Sequence, residues 1–188
     1  MKETEWAKFI AEKLDAEFRG FQVVSGQRLI YANEIMEYTK EKPEYNEMAY
    51  ETDILIYEGD KERSWKPRVV IEAKIDSVTT HDAITYSQKS ATHKYVHPYL
   101  RYGIFIGNRK DYPLPGRLFR HGAHFDFMLS WSGYIPEANE WKELKKLIKS
   151  EIEASKKLEE MIFNSRSKVR KEYFLVHKPL VTKCVNGL

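Results

Sequence analysis

Three charged residues in one short stretch have the types and spacing for acid–base and metal chemistry. Asp53 stands just before the apolar run Ile54-Leu55-Ile56-Tyr57, and Glu72 and Lys74 close a second run, Val69-Val70-Ile71. Both runs are short, rich in β-branched residues and joined by a polar, glycine-containing connection, so they read as the two strands of a hairpin. Side chains two apart on a strand share a face, so Glu72 and Lys74 point one way and Ala73 the other. An antiparallel hairpin brings the start of one strand beside the end of the next, which puts Asp53 next to Glu72. Two carboxylates beside a buried sheet are costly without a partner. Mg²⁺ suits them, as a hard cation held by one or two carboxylates, waters and substrate phosphate oxygens. Lys74 is then placed to orient or deprotonate a water poised against a phosphodiester. The competing reading is a solvated Glu72–Lys74 pair at a strand end, with Asp53 a turn residue.

The elements that must position these residues follow from periodicity. Trp6, Phe9, Ile10, Leu14 and Phe18 recur at helical spacing over 3–19, with Gly20 as C-cap. Val23-Val24 and then Leu29 to Tyr38 are β-rich, and Leu29–Tyr38 reads as the first strand of the sheet. The polar segment Lys40 to Met48, which carries Pro43, reads as a loop. Capping residues at Thr79, Thr80 and Asp82 open a helix to about Tyr95, with Ala83, Ile84, Ser87, Ala91 and Tyr95 on one face. Arg101–Gly107 is a fourth strand and Ala123–Trp131 a fifth. Glu137 to about Lys171 carries a long apolar stripe that needs the sheet or a second subunit as partner. Tyr173–Val176 reads as a final strand.

Asp53, eighteen intervening residues, then Glu72-Ala73-Lys74 resembles the signature of the PD-(D/E)xK nuclease superfamily. The order of helix, three strands, helix and strand over about 3–107 resembles that family's αβββαβ core. The resemblance implies a restriction-endonuclease-like fold of the α/β (α+β) class. In that fold a central mixed β-sheet of about five strands would be flanked by helices, with a long C-terminal helix, and residues 1–188 would form one nuclease domain. It implies a Mg²⁺-dependent endodeoxyribonuclease similar to type II restriction endonucleases, with Mn²⁺ able to substitute. By the same resemblance, Asp53 and Glu72 would ligate the metal with the carbonyl of Ala73, and Lys74 would position or activate the attacking water. An acid from the opening helix often joins the metal site in this superfamily; Glu12 is the expected one, with Glu17 and Glu34 as competitors. The helix after the ExK strand often supplies a Gln, which here is Gln88. The implied partners are double-stranded DNA and a second copy of the chain in a homodimer. Two other readings stand beside this one: a structure-selective repair or recombination nuclease of the same fold, and a non-catalytic DNA-binding module.

Charge distribution bears on the partner. Net charge is +3, yet residues 1–62 hold 15 acidic and 8 basic residues, so the remainder is strongly basic. A basic second half suits a polyanion, since Lys and Arg that neutralise phosphates release condensed counterions. The segment 109–122 concentrates Arg109, Lys110, Arg117 and Arg120 with Tyr112 and Phe119 interleaved, and reads as a loop suited to phosphate positioning. No apolar run approaches the roughly 18 residues that cross a bilayer, and the amino terminus lacks a signal-peptide layout, so the expected location is cytoplasmic. Cys184 stands alone, which excludes an internal disulfide and a multi-cysteine zinc site. His93 and His97 have i, i+4 metal-ligand spacing, but the sequence offers them no third ligand.

Overall fold

The computed structural model describes residues 1–110, 113–176 and 180–183. In chain order the elements are α1 (Glu3–Asp15), β1 (Gln22–Val24), β2 (Gln27–Tyr38), β3 (Pro43–Thr52), β4 (Ile54–Asp60), β5 (Ser64–Ile75), α2 (Thr80–Val96), β6 (Arg101–Gly107), α3 (Gly116–His121), β7 (Phe127–Ser130) and α4 (Ala138–Phe163). The two apolar runs pair as their pattern requires: β4 and β5 are antiparallel, with Ile54 opposite Ile71 and Leu55 opposite Val70. β1 adds to β4 antiparallel. β6 and β7 add on the other side in parallel. The result is a five-stranded mixed sheet in the order β1-β4-β5-β6-β7, an α+β architecture with helices on both faces.

Alternation along β5 decides what each face carries. Val69, Ile71 and Ala73 enter the core with α1 and α4, including Trp6, Ile10, Leu14, Leu144 and Ile148. Val70 enters the opposite core, built with Tyr102, Ile104 and Ala83 against α2 and α3. Glu72 and Lys74 therefore share the α2 side. Each valine, leucine or isoleucine so buried stabilises the sheet by about 1.5–3 kcal/mol. Gly103 and Gly107 mark close approaches within this core: a Cβ at the first would lie 2.2 Å from the Phe127 ring, and at the second 2.2 Å from Trp6.

Helix α2 is held at its start by a reciprocal cap, in which the Asp82 amide donates to Thr79 Oγ1 at 3.0 Å and the Thr79 amide to Asp82 Oδ2 at 2.8 Å. Its buried face is Ala83, Ser87, Ser90, Ala91 and His93. Ile84 and Tyr95, expected on that face, are 51% and 82% exposed. Small side chains let the helix approach the sheet closely, and that requirement outweighs the hydrophobicity of Ile84 and Tyr95.

Several boundaries differ from the sequence reading. Leu29–Tyr38 is not in the central sheet. It belongs to β2, which pairs with β3 in a separate two-stranded ribbon, so much of the segment read as a loop at Lys40–Met48 is strand. The outer ribbon is exposed on both faces, and such strands need no apolar alternation to reveal them. Helix α1 stops at Asp15 rather than Arg19, the fifth strand is confined to Phe127–Ser130, and α4 ends at Phe163 rather than Lys171. The segment read as a loop after Arg109 contains the short helix α3, anchored by buried Leu118. Tyr173–Val176 forms no strand. Tyr112 and Cys184 lie outside the described residues.

Candidate active site

Asp53 occupies the bend where the chain leaves the ribbon at Thr52 and enters the central sheet at Ile54. Thr52 is fixed there by bonds on both sides: its carbonyl accepts from the Gly26 amide at 3.0 Å, and its hydroxyl donates to the Gln27 carbonyl at 2.8 Å. The Asp53 carboxylate accepts from the backbone amide of Ala73 at 2.8 Å. One Asp53 oxygen thus extends the β4–β5 ladder by one rung and leaves the carboxylate beside Glu72. The two acids are close enough for a protonated Glu72 to hydrogen bond to Asp53.

Glu72 is only 1% exposed. Its Oε1 accepts from the Tyr102 hydroxyl on the neighbouring strand and lies 3.4 Å from Lys89 Nζ on α2. Burial, and then the charge of Asp53, push its carboxyl up to about 7, against the opposing pull of Lys89 and Tyr102. Burial also holds the Tyr102 phenol well above its ordinary value, with the Glu72 charge adding to it, so the phenol remains a donor. The buried Glu72 charge is under-compensated, the condition that favours an added cation.

Lys74 lies two residues along the same face. Its ammonium forms an ion pair with Glu3 Oε1 at 2.8 Å and stands 4.5 Å from the centre of the Tyr86 ring. Burial disfavours its charge, but bonding to Glu3 and Tyr86 outweighs burial and raises the pKa. Lys74 is therefore a fixed cation. An ammonium held in this way is suited to orienting water and stabilising negative charge, one of the two roles the sequence leaves open to it.

The structure brings together Asp53, Glu72, Ala73 and Lys74, and does not bring the other expected acids or Gln88 to them. Glu12 is on the exposed side of α1, 3.9 Å from Lys8, and nine residues (about 13 Å of helix) beyond Glu3, the α1 acid that does reach the site. Glu17 binds Lys145 and the Trp141 indole. Glu34 is in the exposed ribbon. Gln88 is exposed, and the α2 residues at the site are its neighbour Lys89 and Tyr86. Sequence reasoning missed Glu3, Tyr86, Lys89 and Tyr102. The buried set Ala83, Ser87 and Ser90 on α2 is the signal that would have turned Lys89 rather than Gln88 inward.

The basic segment leaves the sheet at the carboxyl end of β6, where Ile75 of β5 lies opposite Gly107. Ligands of open parallel sheets bind outside that end of the strands. The rim is tied by Asn108 and Asp76, both left-handed at φ 50° and 63° and joined by a 2.5 Å hydrogen bond. Arg109 Nε donates to the Pro113 carbonyl at 2.6 Å, whereas Lys110, Arg117 and Arg120 are exposed. His93 and His97 both turn a ring nitrogen to the Ile30 carbonyl, at 3.3 and 3.1 Å. Burial lowers both pKa values, that of His93 to about 4, so they are neutral bonding groups holding the ribbon to α2.

Among the described residues no group of three or more His, Cys, Asp or Glu side chains is gathered for a metal ion. The donor set is two adjacent carboxylates with the peptide that links Ala73 to its neighbours. That set fits Mg²⁺, which binds through one or two carboxylates and keeps several waters, and does not fit a structural zinc site. Among the described residues no helix is long and apolar enough to cross a membrane. Neither the models of known protein families nor the curated proteins contain a match to this chain.

Proposed function

We propose that the protein is a Mg²⁺-dependent endodeoxyribonuclease with a restriction-endonuclease-like core. The observation that carries the reading is the meeting of Asp53 with Glu72 at a strand end, beside a fixed ammonium at Lys74. The order of central-sheet elements supports it: α1, three antiparallel strands, α2, then a parallel strand. Asp53, Glu72 and the Ala73 carbonyl would hold the cation, which when bound supplies Lewis-acid polarisation of a phosphate and a more acidic water. Asp53 is aimed by the Ala73 amide, and Glu72 by Tyr102. Lys74, held by Glu3 and Tyr86, positions the attacking water and stabilises charge developing on the phosphate. Lys110, Arg117 and Arg120 stand on the segment that leaves the same end of the sheet and would contact backbone phosphates.

Cutting both strands of a duplex calls for a homodimer. The apolar stripe of α4 from Trp141 to Ile152 packs in the sheet's core and is not free for that contact. The ribbon offers apolar surface instead, with Ile35, Met36 and Tyr38 at 52%, 67% and 78% exposure.

Supercoiled plasmid and a panel of linear and four-way-junction DNAs, each with Mg²⁺ or with EDTA, test the reading. Cleavage of linear duplex at discrete sites with Mg²⁺ alone supports a restriction-type enzyme. Cleavage confined to junctions reassigns it to repair or recombination. Binding without cleavage under Mg²⁺ or Mn²⁺ overturns the nuclease.

A further inference from the structure

The two lysines of the site are held very differently. Lys74 makes a 2.8 Å ion pair with Glu3. The ammonium of Lys89 stops 3.4 Å from Glu72 Oε1, longer than the roughly 2.7–2.9 Å of a well-formed charge-assisted bond. That Glu72 oxygen already accepts from the Tyr102 hydroxyl. The Lys89 ammonium also lies near two rings, 5.2 Å from the centre of Tyr50 and 5.1 Å from Tyr86. Its side chain is 21% exposed while Glu72 is buried. Lys89 thus reaches from the site's open side, past two aromatic faces, to lend a charge to a carboxylate with no other ion-pair partner among the described residues.

We infer that Lys89 is an exchangeable counter-ion, which neutralises Glu72 in the free protein and is displaced by an incoming divalent cation. The inference rests on the proposed metal site at Asp53 and Glu72. Charge balance gives it direction. When all are ionised, Asp53, Glu72 and Glu3 carry three negative charges against the two positive charges of Lys74 and Lys89. A divalent cation entering beside Lys89 turns that small deficit into an excess and repels the ammonium at close range. The aromatic faces let Lys89 withdraw while retaining favourable cation–π contact. Once withdrawn it stands at the mouth of the site, where a phosphodiester is the natural partner. The fixed lysine and the mobile one then divide the work: Lys74 belongs to the reacting groups, and Lys89 reports whether the cation is in place.

Calorimetric titration of Mg²⁺ into DNA-free protein at about pH 8.5 tests this with no activity readout. The chains are wild type, Lys89→Met, Lys89→Arg and Asp53→Asn. Lys89→Met keeps the stem between the rings and removes the competing charge, so Mg²⁺ binds about tenfold tighter. Lys89→Arg keeps the charge and stays within about threefold of wild type, which separates charge from packing. Asp53→Asn abolishes binding. If Asp53→Asn abolishes binding but Lys89→Met leaves the affinity unchanged or weakens it, the counter-ion inference is overturned and the metal site stands. If no chain binds Mg²⁺, both are overturned.

Discussion

Replacing Glu72 by Gln should stabilise the metal-free protein at neutral and alkaline pH. The carboxyl is buried and held at about 7 against an ordinary value of 4.5. Below about pH 4.5 it is protonated in the folded and the unfolded chain alike, and contributes no penalty. Between there and about 7 the unfolded chain gives up this proton first, so stability falls as pH rises; above about 7 the full penalty applies. At 1.36 kcal/mol for each tenfold in the proton equilibrium, that penalty is about 3 kcal/mol. Glutamine has the shape of the protonated acid. It accepts from Tyr102 through its oxygen and can donate from its amide to Asp53, as the acid's proton does. For a chain of this size the gain corresponds to about 5–10 °C in Tm. Thermal unfolding of both chains in EDTA, at about pH 4.5 and about pH 8, measures it. Near-equal Tm at the acidic pH and a more stable variant at pH 8 is the expected pair. A variant less stable than wild type at both values would mean that Lys89 and Tyr102 fully compensate the buried charge, and the argument for an added cation would fail with it. Mg²⁺ should reverse the order at pH 8 by binding wild type alone.

Lys74→Ala should lower the cleavage rate by about a hundredfold or more while duplex affinity in Ca²⁺ stays within about threefold, because the ammonium acts on developing charge; filter binding beside single-turnover kinetics checks both. Gly103→Ala drives a methyl to 2.2 Å from the Phe127 ring and should cost about 1–3 kcal/mol in a urea melt, the usual result of overpacking. Arg68 is 4% exposed and bound to Glu58 at 2.9 Å and Glu159 at 2.6 Å. Arg68→Ala takes the guanidinium from between Glu58 on β4 and Glu159 on α4, which keep Lys156 and Lys66 as partners, and should cost about 1–3 kcal/mol, read as a lower urea midpoint.

What the sequence disclosed depended on whether a residue's position is set locally. The period-2 pattern of Val69 to Lys74 fixed which side chains share a face, and hairpin geometry set Asp53 beside Glu72; both are consequences of neighbouring chain. The ribbon left no such trace, since strands exposed on both sides need no burial pattern, and Lys40–Met48 looked like a loop for that reason. Lys89 against Gln88 is the finest case: one step along a helix turns a side chain by about 100°. Which of the two faces the sheet depends on how closely α2 packs, through Ser87 and Ser90, and not on the helix's own amphipathicity. Glu3 was hidden similarly. The end of α1 that meets Lys74 is decided by how Trp6 seats over Gly107, a contact about a hundred residues away in sequence.

The ribbon is spliced between two strands that already touch. Val24 at the end of β1 faces Leu55 near the start of β4, and the Gly26 amide closes on the Thr52 carbonyl just beyond them. An excursion whose entry and exit are clasped in this way transmits no length change to the framework. Its tip is therefore open to rapid evolutionary drift or to grafting, whereas its root, beside Asp53 and Tyr50, would be under the constraint of the proposed chemistry. Diversity in what the molecule touches and constancy in what it does would be written into two ends of the same pair of strands.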